Sequence, residues 1–417
     1  MPTLTDRTML PPVHHPLESP AADAARLLLR LGLLVLALGL PVLALVSRRA
    51  VFVIFPIAVV LILLSVLLRG PEPALRQFGA ALISRLGLAA LFVIGWAALS
   101  LSWTPFFAEA GDHLGKVLAT GLAAVAVVAA LSERTRTADL YLVPIGVAAG
   151  AAAAIALAFI PAPRLLIDPD IITMPRALVG LGILVWPALG ALGARHHWSL
   201  AALLMLGVAA AAGLNFAPMV LAMLACGALS FILARSNLVQ TARGLGLTVA
   251  VLFIAAPALA LLFDALLTAR SAEASLLGQN VATWAAIIKA DPARLLTGHG
   301  LDAATRAIQS GFLPAGAPRS LLFETWYELG LIGALSFAAM LYLAYGAAGR
   351  LGAAAGPALA GGITACLVLA LTGQQTTQIW WVTLLAVALI ATSLVVRGQY
   401  RTSRPFAPGT LTSEEAE

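Results

Sequence analysis

Apolar runs of roughly 18 to 20 residues recur along this chain, and each is long enough to cross about 30 Å of hydrocarbon as a helix. Composition points the same way. Of the 417 residues 61% are hydrophobic and only 11% are charged, where soluble domains carry about 25% charged residues. Mean hydropathy is +0.97. The expected fold class is all-α: a polytopic membrane protein with about 12 transmembrane helices. The runs place spans at about 27–46, 50–68, 86–103, 114–131, 140–160, 177–194, 198–213, 217–234, 245–264, 321–345, 355–373 and 378–396. The third-last connection is the outlier, a polar interruption from Asp264 to Ser320 in an otherwise apolar chain.

The organisation that follows is a polar tail at 1–24, nine spans within 25–264, a large loop at 265–320, three spans within 321–396, and a second tail at 397–417. Both tails read as disordered. The first lacks a cleavable signal pattern, because the run after it has span length and no small-residue cleavage site. His14 and His15 lie in that tail without metal-binding partners. Cys226 and Cys366 both fall inside apolar runs and read as small buried side chains, with no disulfide or metal role.

Orientation follows from the 25 basic residues. With the N-terminus in the cytoplasm, fifteen fall on the cytoplasmic side and ten on the other. Five of those ten (Arg270, Lys289, Arg294, Arg306 and Arg319) lie in the long loop, which the rule discounts, leaving 15 to 5. Both termini are therefore expected in the cytoplasm, with the long loop facing outward. The net charge of +6 reflects these loops and does not point to nucleic acid. Trp103, Trp198, Trp380 and Trp381 fall near span ends, where indoles favour the interface. Glu109, Asp112, Asp168 and Asp170 lie on the outward side and read first as solvated loop charge.

Two short helices are legible in the loop. Leu277, Val281, Trp284 and Ile288 recur at helical spacing before Pro292, predicting a helix with its apolar face on the membrane surface. A second is predicted over Asp302–Gln309, with Asp302 as its cap. Gly311, Pro314, Gly316 and Pro318 then return the chain to the bilayer. Glu324 and Glu328, four residues apart, share one helical face at the mouth of the next span. Charge at such a place is costly unless paired or functional, so an Arg319–Glu tether and an active-site role are both expected readings.

These residues resemble a family. Trp284, Asp291-Pro292, Gly298-His299-Gly300-Leu301, Pro318-Arg319-Ser320 and Trp326-Tyr327-Glu328-Leu329-Gly330-Leu331-Ile332-Gly333 look like the O-antigen ligase and polymerase family. Pro175-Arg176-Ala177 and Gln378-Ile379-Trp380-Trp381 add matches outside the loop. The motif resemblance covers mainly 270–335, and the topology the whole chain. Two departures stand out. Where the family has a His-Asn pair nine residues before the Glu-Leu-Gly, this chain has Arg319-Ser320. Where the family often carries Ser-Arg-Gly, this chain reads Asn215-Phe216-Ala217-Pro218.

The resemblance implies a multispan bacterial inner-membrane enzyme acting on its periplasmic face. It would transfer a glycan from undecaprenyl diphosphate to lipid A-core or to a growing glycan, with inversion. A diphosphate leaving group is best met by guanidinium groups. The candidate cations are Arg176, Arg270 and Arg319, followed by Lys289 and Arg294. With the family histidine replaced by Arg319, His299 or Glu324 would serve as base. No cofactor is expected, and the loop's single His and scattered acids lack metal-ligand spacing. Partners are then the lipid-linked glycan, its acceptor and membrane lipids. Two alternatives remain open: a lipid-glycan transporter or flippase, for which Lys116 is the best in-span charge, and a non-catalytic polysaccharide-assembly subunit.

Overall fold

The computed structural model describes residues 20–131, 137–159, 173–269, 276–314, 316–372 and 378–398. The regular structure of the described residues is all helical, with no β-strand, and they form a multi-pass membrane protein. In chain order the helices are α1 (Pro20–Leu43), α2 (Ala50–Arg69), α3 (Glu72–Leu82), α4 (Arg85–Ser100), α5 (Phe107–Ala130), α6 (Leu142–Phe159), α7 (Thr173–Gly193) and α8 (Trp198–Leu214). They continue with α9 (Pro218–Ser236), α10 (Leu238–Ala269), α11 (Leu276–Ala290), α12 (Ala303–Gln309), α13 (Leu321–Ala348), α14 (Ala355–Leu371) and α15 (Ile379–Arg397). Among the described residues nine helices are long and apolar enough to cross a membrane, or ten if the bent pair α3–α4 is one span. Two more, α8 and α14, are apolar but shorter. Each of the expected runs coincides with one of these helices.

At the centre stands α7, with 94% of its apolar window buried by other helices. Its Trp186 is 1% exposed and fills the space left by Gly361 and Gly362, where an added Cβ would meet the Trp186 side chain at 2.7 and 3.2 Å. The outer helices instead carry large exposed side chains, such as Leu203 and Leu206 on α8 at 65% each. An apolar surface of that extent needs lipid around it.

One helix has no counterpart in the sequence reading. The amphipathic α3 buries no residue and meets α4 at 69°. It is too short and polar to register as a span, and Ser84 separates it from α4 as a cap whose side chain accepts from Gly87 N–H at 3.0 Å. Nearby, Arg397 at the end of α15 donates to the carbonyls of Val128 and Leu131 at 2.8 Å and to Gln77 Oε1 at 3.0 Å. One guanidinium thus satisfies the end of α5 and fastens it to α3.

The helix that carries Glu324 and Glu328 is discontinuous. Within α13, Gly330 has φ 62° and ψ −157°, a conformation essentially reserved for glycine. The break strands backbone carbonyls that must find donors elsewhere. Tyr327 O accepts from His299 N–H at 2.8 Å, Glu328 O from Gly300 N–H at 2.9 Å, and Leu329 O from the Trp96 indole N–H at 2.9 Å. A comparable repair occurs on α10. Pro257 has no N–H for the carbonyl of Phe253, and the Trp326 indole N–H donates to that carbonyl at 2.6 Å.

Candidate active site

The loop and the broken helix form one unit. Gly298 has φ 73° and ψ −176°, the same glycine-only region as Gly330, and the two backbones touch. A Cβ on Gly330 would lie 2.6 Å from both Gly298 N and Leu296 O. The Gly-His-Gly and Glu-Leu-Gly elements are therefore two halves of a backbone interlock. Further contacts tie it to α4 and the turn after it. Leu301 N–H donates to Ser100 Oγ at 3.1 Å, and Thr104 Oγ1 donates to Leu301 O at 3.0 Å.

Behind the interlock lie three buried carboxylates, Asp302, Glu324 and Glu328, at 3, 4 and 6% exposure. Asp302 holds the expected position before α12 but not the expected role: it is left-handed (φ 61°) and its side chain caps nothing. Instead its Oδ2 accepts from Arg306 Nε at 2.6 Å, and its Oδ1 lies 3.9 Å from His113 Nδ1 on α5. The first turn of α12 is capped from another helix, since Ala304 N–H donates to Glu328 Oε1 at 3.1 Å. Glu328 thus does the work foreseen for Asp302. The Arg319–Glu tether does not form: Arg319 is exposed and makes no hydrogen bond or ion pair among the described residues. It stands at the mouth of α13 beside Ser320, whose side chain accepts from Phe323 N–H at 3.3 Å.

His299 sits over this unit. Its ring stacks on Tyr327 at 4.1 Å and 11°, and its Nδ1 is 3.1 Å from Tyr327 O. A carbonyl can only accept, so Nδ1 carries the proton and Nε2 keeps a free lone pair. Burial pushes the His299 pKa below its ordinary value, outweighing the hydrogen bond to Tyr327 that pulls it up. The residue is accordingly a neutral imidazole at pH 7, with the electronic form a base needs.

The candidate cations separate into distinct places. Lys289 on α11 pairs with Asp264 at 2.8 Å, so α11 is fastened to the end of α10 as well as lying along it. Arg294 is 3.9 Å from Asp291 and donates to Gly298 O at 3.4 Å. Arg270 lies outside the described residues, as do Asp168 and Asp170. Glu109 and Asp112 are in the first turns of α5 and exposed, and Lys116 pairs with Asp112 at 2.5 Å. Lys116, the in-span charge a transport pathway would use, is therefore exposed and answered by Asp112.

Arg176, in the first turn of α7, donates to Gln378 Oε1 at 3.3 Å and lies over the Trp380 ring at 5.3 Å. Trp380 Nε1 donates to the same Gln378 oxygen. Arg176 lines a narrow cleft between α1, α2, α7 and α15, together with Arg48 and Ser47. The remaining walls are apolar: Leu40, Ala44, Val51 and Leu384 among them. Arg48 did not emerge from the sequence, where it is one of two arginines in a short turn and signals only topology. Among the described residues no His, Cys, Asp and Glu group is arranged to hold a metal ion. Compared with protein-family models and with curated protein sequences, the chain matches none.

Proposed function

We propose that this chain is an O-antigen ligase- or polymerase-like glycosyltransferase of the bacterial inner membrane. It would transfer a glycan from undecaprenyl diphosphate to lipid A-core or to a growing glycan. In this reading twelve helices cross the bilayer: the nine long ones, α3–α4 as one bent span, and the shorter α8 and α14. Both termini are cytoplasmic, and the loop with its interlock is periplasmic.

The observation that carries the reading is the cleft holding Arg48 and Arg176. Its walls are apolar and two guanidinium groups line it beside Ser47 and the Gln378–Trp380 pair. A polyprenyl diphosphate has the matching halves, an apolar chain and a multiply charged head. In the reaction an acceptor hydroxyl attacks the anomeric carbon. The bond from that carbon to the diphosphate oxygen breaks, the electron pair leaves with the diphosphate, and configuration inverts. Arg48 and Arg176 stabilise the charge that develops on the leaving oxygen. His299 Nε2 takes the hydroxyl proton, with Glu324 as the alternative base and Arg319 as a further cation at the mouth of α13.

The broken helix would also suit a transporter, in which such breaks present backbone groups to ions. Here the carbonyls at the break are occupied by His299, Gly300 and Trp96, which favours the transferase reading. The test is genetic. Loss of the chain should alter either the length of surface polysaccharide or its attachment to lipid A-core, and unchanged surface glycan would reject the proposal.

A further inference from the structure

A second, half-open cleft lies between α11, the loop and the first half of α13. One wall is an aromatic array. His299 stacks on Tyr327 at 4.1 Å, Tyr327 on Phe323 at 5.4 Å, and Phe323 meets Trp284 edge-on at 5.6 Å. Phe323 is fully buried, so the array is braced from behind and its half-buried rings Trp284, His299 and Tyr327 are held in place. The rim is polar. Asp291 and Arg294 are 3.9 Å apart with half-exposed side chains, a loose ion pair whose members keep capacity for other partners. His299 adds an acceptor nitrogen beside them.

We propose that this cleft binds a single hexopyranose ring. A pyranose has a C–H face that packs on an aromatic wall and an equatorial rim of hydroxyls that both donate and accept. A carboxylate, a guanidinium and an imidazole acceptor answer those hydroxyls. An anionic head group fits less well, because Asp291 stands on the rim. A purely apolar segment would desolvate the Asp291–Arg294 pair and offer His299 Nε2 no donor. The cleft is half-open, so a ring would lie against its aromatic wall with its outer edge in solvent. The source of the sugar, donor or acceptor, rests on the transferase reading, but the recognition itself does not.

The test is saturation-transfer NMR on the full-length chain in detergent micelles, using a panel of methyl hexopyranosides, with inorganic phosphate followed separately. At least one pyranoside should give saturable transfer, strongest at ring C–H protons. Asp291→Asn and Arg294→Gln should each weaken it by about tenfold while leaving thermal unfolding near that of the parent. Absence of saturable transfer from every pyranoside at millimolar concentration would overturn the assignment. So would binding that ignores both substitutions, or saturable binding of phosphate at the same residues. The two proposals fail separately. Pyranoside binding without transfer from a lipid-diphosphate donor would sink the transferase reading alone. Normal transfer by chains that bind no pyranoside would sink this cleft alone.

Discussion

The backbone of Gly298 passes so close to Gly330 that a Cβ on Gly330 would stand 2.6 Å from the Gly298 nitrogen. Both residues occupy glycine-only conformations, so neither strand of the interlock can accept a side chain. Gly330→Ala is expected to destabilise the protein by about 3 kcal/mol or more, adding backbone strain to a steric conflict. Thermal unfolding in detergent would measure it, and a near-parental midpoint would mean that the helix can close over residue 330.

The carbonyls freed by the break make a second, milder prediction. Trp96→Phe keeps an aromatic ring and removes the indole N–H that donates to Leu329 O, which should cost about 1–3 kcal/mol. Trp96→Phe with unchanged stability would mean that Leu329 O finds another donor.

Glu328 is expected to be structural. Removing its carboxylate leaves Ala304 N–H without its acceptor. Glu328→Ala should therefore lose about 1–3 kcal/mol. Glu328→Gln, which retains an acceptor oxygen, should recover most of the stability. If Glu328→Gln instead folds normally and loses all activity, Glu328 belongs to the chemistry.

His299 sets a pH dependence. Its pKa is lowered by burial in the folded protein, so as pH falls the unfolded chain takes up the proton first. The contribution to stability is whole above the ordinary histidine value and is lost as pH falls through the lower folded-state value. Transfer should follow the same direction: full at neutral pH and falling only below the ordinary histidine range, as Nε2 becomes protonated. His299→Gln should lower the rate by about 10²-fold or more and flatten that limb. An acidic limb that persists in His299→Gln would assign the base elsewhere.

Much of the helical layout is legible from span-length hydrophobicity, because bilayer thickness dictates the length of each run. What hydropathy misses is whatever is not a span. The amphipathic α3 is one case, and the extension of α10 to Leu238–Ala269 beyond the expected 245–264 is another. In the site, Gly298, His299, Gly300 and Gly330 stand out in the sequence, yet their mutual contact does not, since twenty-odd residues separate the two glycine elements. Asp302 and Glu328 exchange expected roles for the same reason: a cap supplied by another helix has no local signature. Arg48 is silent in the sequence because its significance comes from Arg176, which lines the same cleft but lies far along the chain, on α7.

The central claim is that Arg48 and Arg176 jointly hold the diphosphate of a lipid-linked donor. The most direct measurement is in vitro transfer by the purified chain from an undecaprenyl-diphosphate glycan to lipid A-core or a glycan acceptor. The parental protein should transfer, and Arg48→Ala and Arg176→Ala should each slow transfer by about 10²-fold, as expected for losing one charge-assisted contact to a developing anion. Transfer at parental rate by the folded Arg48→Ala, Arg176→Ala double variant would contradict the account.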